Sequence, residues 1–226
     1  MFYFFCTRKP NFSAIGKIDY NEYWRKREFT INEKLKEREI IILEWINGGE
    51  RIFDIGCGNS LLPSRLKEKG CKVVVGDISN IVLAGHEKYG IKGKVIDLEN
   101  IKAIEQNEKF DYIILSEVLE HTKNPEEILC WLKNYTDYLI VTIPNSAFYR
   151  YRIHLLLSGR FFTQWNYHPS EHLRYWSHID FLDWVNSLNL KIIKSQASNG
   201  LTIGGLKIFN YWKNLFGHQI CYLIKT

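Results

Sequence analysis

The sequence predicts an α/β fold built around a mostly parallel, doubly wound sheet. Short apolar runs alternate with helix-like patterns between residues 51 and 145, which is the rhythm of strand–helix–strand units. Three of these runs end in an acidic residue, at Asp54, Asp77 and Asp97. Because the carboxyl ends of parallel strands meet at one edge of a sheet, we expect the three carboxylates to converge on a binding cleft there.

Residues 1–46 are expected to form a tail and a helix that pack over this cleft. Aromatic and aliphatic residues recur at spacings of three and four between residues 19 and 46, and Asn-Gly-Gly then gives a stop signal. Tyr23 and Arg27 fall on neighbouring turns of this helix. They form either a core stripe beside a solvated arginine or a lid in which Arg27 meets a carboxylate. The short aromatic opening MFYFFC favours an edge strand or a packed tail over contact with a membrane surface or a partner.

The first strand leads into a glycine-rich turn, RIFDIGCGNSLLPSRL, at residues 51–66. Gly56 and Gly58 allow a tight turn and a close approach of ligand to backbone. Leu61 stands where a dinucleotide-binding fingerprint needs glycine, and the lysine of a phosphate-binding loop is missing. A carboxylate such as Asp54 would repel a pyrophosphate but suits a cationic or amino-acid-bearing ligand. The alternative is that the turn only closes a strand–helix unit.

The next two strands end in acids with two open interpretations each. The run KVVVGDIS ends in Asp77, which is placed to accept both hydroxyls of a ribose or merely to cap the helix that begins near Asn80. Ser79 is able to provide that cap instead, so we favour the ribose role. The run GKVIDLEN at residues 93–100 is a third short strand, and its Asp97 either borders a ligand or is an ordinary loop acid.

The second half of the predicted sheet leads to an irregular segment. FDYIILSEVLEH at residues 110–121 begins as a fourth buried strand and breaks into the polar residues Ser116, Glu117, Glu120 and His121. A helix from Pro125 to about Tyr135 and a fifth strand at residues 137–145 follow. Residues 145–177 are dense in aromatic side chains, Arg and His, with a short helical pattern near 147–157. We expect this insertion to shape a substrate pocket. A helix at 178–188, a strand, a glycine-containing loop and a last strand at 219–225 complete the chain.

Composition excludes several classes of protein. The 226 residues are 46% hydrophobic and 24% charged, as in soluble globular proteins, and the net charge of +5 is too small for a typical nucleic-acid binder. The five cysteines are scattered without a C-x-x-C pair, so we expect reduced thiols, no zinc or other metal site, and a cytoplasmic location. No apolar run reaches the length of a membrane span.

Several motifs together resemble one family. FDIGCG, VVVGDIS, VIDLEN, FDYIILSEVLEH, VTIPN, EHLRYW and NLFGHQICYLI occur in the order and spacing of class I S-adenosylmethionine-dependent methyltransferases, closest to the group of the methionine-biosynthesis protein MetW. The resemblance implies a Rossmann-like seven-stranded sheet of order 3-2-1-4-5-7-6 with strand 7 antiparallel. It implies a methyltransferase domain over residues 47–226 that binds S-adenosylmethionine across the tips of strands 1, 2 and 4.

The same resemblance assigns roles to individual residues. It gives Asp54, Gly56 and Gly58 to the methionine portion of the cofactor, Asp77 to the ribose, and Asp97 with Leu98 to the adenine. Further cofactor contacts are expected at these residues: Cys57, Ile78, Ser116, Tyr23 and Arg27.

Methyl transfer from a sulfonium needs alignment more than charge stabilisation, but an oxygen acceptor must also lose a proton. Among the histidines of the insertion, His172 is the first candidate for that base and His168 the second, while His121 is a candidate to cap the loop after the fourth strand. Each histidine also has a structural interpretation. Arg174 and Arg152 are candidates to hold an anionic acceptor or to be solvated.

The leading functional hypothesis is methylation of a small-molecule, lipid-linked or sugar acceptor. The alternative is a MetW-like partner subunit that keeps the cofactor pocket but assists an acyltransferase. A nicotinamide oxidoreductase is disfavoured by Leu61. A protein partner or a homodimer is compatible with either leading hypothesis.

Overall fold

A seven-stranded mixed sheet forms the centre of the computed structural model, which describes residues 18–103, 107–159, 161 and 172–226. Counting the strands of this sheet along the chain, its members are β1 (Arg51–Ile55), β2 (Lys72–Asp77), β3 (Lys92–Val95), β4 (Phe110–Ser116), β5 (Thr136–Pro144), β6 (Lys191–Gly200) and β7 (Gly217–Lys225). Their spatial order is β3-β2-β1-β4-β5-β7-β6. A separate two-stranded hairpin joins residues 202–203 to residues 206–207.

The strand directions confirm the predicted fold class. β1 is parallel to both β2 and β4, and β5 is parallel to β4. β7, the last strand in the chain, inserts between β5 and β6 and is antiparallel to both. The carboxyl ends of β1, β2 and β4 therefore share one edge, as Rossmann-like folds require for a ligand site.

Eight α-helices accompany the sheet in the described part of the chain: α1 (Tyr20–Lys26), α2 (Glu37–Trp45), α3 (Leu62–Glu68), α4 (Asn80–Glu87), α5 (Pro125–Leu132), α6 (Tyr149–Ser158), α7 (His178–Ser187) and α8 (Lys213–Phe216). Short 3₁₀ turns lie at residues 98–103, 119–121 and 208–210. None of the helices among these residues is long and apolar enough to cross a lipid bilayer.

The core has two layers because alternate strand residues point to opposite faces of the sheet. Ile113 of β4 packs in the cluster that holds Phe181 of α7, whereas its neighbour Ile114 packs in the cluster that holds Ile42 of α2. All four side chains are fully buried. The continuous apolar runs of the central strands are thus explained by burial on both faces.

The single helix predicted over residues 19–46 is wrong, because α1 and α2 are separate helices. Glu28 takes a positive φ of 49°, and the chain then runs without helix to Lys36. Tertiary contacts stabilise this break. Phe29 lies directly against the backbone of Gly85, where an added Cβ would come within 2.2 Å of its ring, and the Asn32 N–H donates to the Asn59 carbonyl at 2.9 Å.

Two other predicted boundaries shift. β3 ends at Val95, two residues before the predicted end at Asp97, since Asp97 accepts hydrogen bonds from the Glu99 N–H and the Asn100 side chain and so begins a 3₁₀ turn. The helix expected to reach Tyr135 ends at Leu132.

The insertion contains α6, as predicted, and its ends are joined by a bridge between Asn145 and Trp176. The opening MFYFFC lies outside the described residues.

Candidate functional site

A cavity of about 600 Å³ opens at the carboxyl ends of β1, β2 and β4. α1 and α2 contribute its outer wall, and the glycine turn after β1 contributes its floor. Ten of the eleven predicted cofactor-binding residues line it: Asp54, Gly56, Cys57, Gly58, Asp77, Ile78, Asp97, Leu98, Ser116 and Tyr23. The eleventh, Arg27, does not. The three acidic strand ends therefore do face one cavity.

Asp54 is a deeply buried acid of this cavity. Its side chain is 2% exposed, and no described residue gives its carboxylate a hydrogen bond. Burial, followed by the charges of Glu39 and Asp77, raises the pKa of Asp54 to about 8. Because burial and the neighbouring acids make the ionised form of Asp54 unfavourable, a cation that enters the cavity would stabilise that form.

Glu39 is a buried acid of the cavity that the sequence analysis did not identify. It is 2% exposed and accepts hydrogen bonds from the Lys36 N–H at 2.8 Å and from the Ser60 hydroxyl at 3.0 Å. The sequence analysis assigned no role to Glu39. The available signal was its spacing, because Glu39, Ile42 and Ile46 fall three and four residues apart on the same buried face.

Asp77 connects the end of β2 to the glycine turn. Its Oδ2 accepts a hydrogen bond from the Gly58 N–H at 3.1 Å and its Oδ1 one from the Ser79 N–H at 2.9 Å. His86 of α4 contacts the Gly58 carbonyl through Nε2 at 2.9 Å. The Ser79 hydroxyl, a candidate helix cap, instead donates to Asn21 at 2.9 Å. A carboxylate has about four acceptor positions, so Asp77 retains capacity for ligand hydroxyls.

The far end of the cavity is more apolar. Ile78, Ile96 and Leu98 line it beside Asp97. Both oxygens of Asp97 already accept local hydrogen bonds within the 3₁₀ turn.

Burial, and then the charges of Asp54 and Asp77, raise the pKa of the Cys57 thiol well above its usual range, so this side chain is a neutral wall group and not a nucleophile.

Aromatic side chains of α1 cover the glycine turn. Trp24 lies within 3.4 Å of the position that a Cβ on Gly58 would occupy, and its ring meets that of Tyr23 edge-on. The exposed Arg27 guanidinium stacks on Tyr23, 3.6 Å from the ring centroid. The rings of Tyr23 and Trp24 line the cavity, whereas Arg27 does not line it.

The part of the cavity at the carboxyl end of β4 carries one positively and one negatively charged side chain, Arg38 and Glu117. Arg38 of α2 donates from Nε to the Ser116 hydroxyl at 3.3 Å and from Nη1 to Gln219 at 3.4 Å. Glu117 accepts from Gln219 at 2.7 Å and has a positive φ of 59°. A non-glycine residue held in the left-handed region is uncommon and typical of functional sites. The sequence analysis assigned no role to Arg38 or Glu117.

The histidine candidates lie next to this side. The rings of His121 and His172 meet edge-on with centroids 4.6 Å apart, and His121 lines the cavity whereas His172 stands behind it. Burial and the neighbouring His121 lower the pKa of His172 to about 3. His172 is therefore neutral at physiological pH, and its role as the proton acceptor stays a prediction. His168 lies outside the described residues.

The two arginines considered for acceptor binding are engaged elsewhere. Arg152 donates to the Ala147 carbonyl at 2.6 Å and to the Asn214 carbonyl at 3.4 Å. Arg174 donates to the Lys123 carbonyl and lies 3.9 Å from Glu126. Neither lines the cavity.

The chain is similar to known proteins in both its sequence and its fold. Residues 36–224 match the sequence pattern of the family described as methionine biosynthesis protein MetW. The bifunctional methionine biosynthesis protein MetXA/MetW of Rhodopirellula baltica is 25% identical over 167 residues, covering 67% of this chain and 26% of that protein. The mitochondrial ubiquinone biosynthesis O-methyltransferase of Dictyostelium discoideum is 32% identical over 117 residues, covering 45% of this chain and 35% of that protein. The chain thus matches about a quarter to a third of the length of these relatives.

A solved structure gives the same fold. The magnesium protoporphyrin IX methyltransferase of Synechocystis, crystallised with bound S-adenosylhomocysteine, superposes with a TM-score of 0.58 at 14% identity, covering 93% of this chain and 90% of that chain. The family pattern runs from the residue before α2 to the last strand, and the sheet has the strand order expected of class I methyltransferases. The chain belongs to the MetW family and has the class I S-adenosylmethionine-dependent methyltransferase fold.

Proposed function

We propose that the protein binds S-adenosylmethionine in the cavity at the ends of β1, β2 and β4 and transfers its methyl group to a small-molecule, lipid-linked or sugar acceptor. The observation that carries this proposal is Asp54, a 2% exposed carboxylate with a pKa raised to about 8 beside Glu39 and Asp77. A protein that only needed to close a strand–helix turn would have no reason to bury three acids together.

The charges of the cavity are complementary to this cofactor. Asp54 and Glu39 would face the sulfonium and ammonium charges, and Arg38 lies within the same cavity to receive the carboxylate of the methionine portion. A pyrophosphate would meet only repulsion from these acids. The preference for a cationic amino acid over a nucleotide phosphate therefore comes from the protein's own charges.

The remainder of the cavity suits an adenosine. Asp77 is held by two backbone N–H groups with acceptor positions left for ribose hydroxyls. Ile78, Ile96 and Leu98 offer an apolar wall for a purine, next to Asp97. Trp24 and Tyr23 cover the glycine turn and would exclude water from the reacting groups.

The protein's contribution to methyl transfer is alignment. S-adenosylmethionine supplies a methyl group that is already activated on a sulfonium sulfur. The cavity wall that follows the carboxyl end of β4 would hold the acceptor in line with that methyl group. This wall contains Glu117, Val118 and His121. For an oxygen acceptor, His172 and His168 remain the predicted proton acceptors.

Calorimetric titration of the purified chain with S-adenosylmethionine and S-adenosylhomocysteine tests cofactor binding, with Asp54→Asn as the variant and Asp137→Asn, an exposed acid away from the cavity, as the control. We expect binding that only Asp54→Asn weakens, by about tenfold or more. Absence of heat at millimolar ligand would refute the proposal. Formation of S-adenosylhomocysteine with panels of hydroxylated small molecules, lipids and sugars then identifies the acceptor.

A second function is favoured by one observation. The Rhodopirellula relative is named as a bifunctional protein that joins MetXA and MetW in one chain. We propose as the alternative that this chain keeps the cofactor cavity and assists an acyltransferase of methionine biosynthesis as its partner. Sedimentation of the two proteins together, and acyl transfer measured with and without this chain, test it. No complex and no change in acyl transfer would leave methylation as the function.

A further inference from the structure

A second group of ligating side chains lies beside the cavity, and cofactor binding leaves it unused. Glu120 and His121 belong to the 3₁₀ turn that follows β4, and His172 comes from the end of the insertion. One ligand atom of each lies within 4.8 Å of the other two. Residues distant in sequence thus bring two imidazoles and one carboxylate to a single point.

Glu120 is the member of this group that needs an explanation. Its side chain is 1% exposed, and neither carboxylate oxygen has a hydrogen-bond partner. His121 Nε2 is 3.9 Å from Oε1, which is beyond hydrogen-bond distance. A buried carboxylate without donors is unfavourable unless a cation or a proton compensates it.

The backbone holds the group in place. The Glu120 carbonyl accepts hydrogen bonds from the Leu173 N–H at 2.7 Å and the Arg174 N–H at 3.2 Å, which fixes the residue after His172 against the turn. The Thr122 hydroxyl donates to the Leu119 carbonyl at 2.8 Å and closes the same turn. These contacts hold the backbone of Glu120 next to that of the residue after His172.

We propose that Glu120, His121 and His172 bind one divalent transition-metal cation beside the cavity. Two imidazoles and one carboxylate suit Zn²⁺, Fe²⁺ or Co²⁺, whereas Mg²⁺ and Ca²⁺ prefer oxygen ligands only. Ligand atoms around such a cation lie about 3–3.5 Å apart, so the side chains must draw together by roughly 1 Å.

The position of the site suggests its use. His121 and Leu173 line the cavity while Glu120 and His172 do not, so a cation held by the three side chains would lie next to the place proposed for the acceptor. This use, unlike metal binding itself, rests on the proposed function, and an acceptor with an oxygen or nitrogen ligand would bind there. The site departs from the expectation of no metal drawn from the cysteines. It also makes His172 a ligand instead of a free base.

The test is titration of the metal-free chain, purified without a histidine tag, with Co²⁺ alone. We expect one equivalent to bind with visible d–d absorption, Zn²⁺ to displace it, and excess Mg²⁺ to leave it in place. Glu120→Gln and His172→Ala should weaken binding about 10- to 100-fold or more. His154→Ala, which changes a histidine of α6 away from the site, should bind as the wild type does.

The wild-type titration decides the proposal even if a variant fails to fold, because absence of Co²⁺ absorption and of any Zn²⁺-induced rise in melting temperature would overturn it. Equal Co²⁺ affinity in folded His172→Ala would overturn it as well. Titration of the same samples with S-adenosylhomocysteine separates the two proposals: cobalt binding without S-adenosylhomocysteine binding refutes only the proposed function, and the reverse refutes only the metal site.

Discussion

The Asp77 carboxylate accepts a hydrogen bond from the backbone N–H of Gly58 at 3.1 Å, which joins the tip of β2 to the glycine turn that follows β1. One side chain thereby shapes the floor of the cavity and one of its walls. The same carboxylate is proposed to hold the ribose. Its removal should therefore affect the ligand both directly and through the turn.

Asp77→Ala should weaken binding of S-adenosylhomocysteine by one or more factors of ten, because it removes a charged acceptor and frees the Gly58 N–H. Calorimetry measures this, with Asp137→Ala as an exposed control. An unchanged affinity in a folded Asp77→Ala protein would remove the ribose role.

Asp54 should make the ligand-free protein less stable as the pH rises from about 4 to about 8. Its pKa is about 8 in the folded chain and about 3.9 in an unfolded chain, so between these values the folded state binds a proton that the unfolded state lacks. Stability then falls with rising pH. Asp54→Asn should melt at least about 2 °C above the wild type at pH 8, with a smaller difference at pH 5. Thermal melts at several pH values measure this, and a difference that does not change with pH would contradict it.

Binding of a cationic ligand should release a proton from Asp54 at pH 7. Ionised Asp54 attracts the cation, so the affinity for S-adenosylmethionine should rise with pH up to about 8. Calorimetry in buffers of different ionisation enthalpy counts the protons. Glu39→Gln removes a charge that raises the pKa of Asp54, so fewer protons should be released in that variant. The idea is refuted if heat does not depend on the buffer in the wild type.

Gly56→Ala should destabilise the protein by roughly 2 kcal/mol or more, because the new Cβ would lie 2.6 Å from Val118 Cγ2 and the residue has a φ of +72°. Gly159→Ala is a matched control, since its φ is +64° but nothing lies within 4 Å of an added Cβ. Urea unfolding should show a larger loss for Gly56→Ala. Equal losses would mean that only the backbone conformation matters.

His172→Ala should lower methyl-transfer turnover about 10²-fold or more while leaving the affinity for S-adenosylhomocysteine nearly unchanged. His172 stands behind the cavity wall and does not line it, so the cofactor keeps its contacts. Initial rates and calorimetry on the same sample separate the two effects. A parallel loss of both would make His172 a structural residue.

The sheet and the acidic strand ends were predictable because both are local properties of the sequence. The apolar runs that end in Asp54 and Asp77 are buried towards their carboxyl ends, whereas β3, which precedes Asp97, is a partly exposed edge strand. The topology of parallel strands brings all three acidic residues to one cavity. The inserted antiparallel last strand was predicted only through resemblance to a family.

The contributions of α2 and of the insertion were not predictable from local patterns. Glu39 sits in a charged run that looks solvated, and only its contact with Ser60 shows why it is buried. The break between α1 and α2 is likewise stabilised by Asn32 and Asn59, which are far apart in sequence. His172 lies near Glu120, but it belongs to residues 145–177, which do not follow the strand–helix rhythm. A local sequence pattern therefore could not place the two residues together.

The hydrogen bond between Ser79 and Asn21 has a consequence for how ligands leave the cavity. α1 covers the glycine turn without burying any of its own residues, and near the cavity it is fastened by this contact between two neutral side chains. Trp24 also packs against the apolar cluster of Cys57, Val75 and Val82, so the contacts that hold α1 here are uncharged and dissolved salt does not screen them. A ligand bound beneath α1 should therefore leave at a rate that is nearly the same in dilute and in concentrated salt.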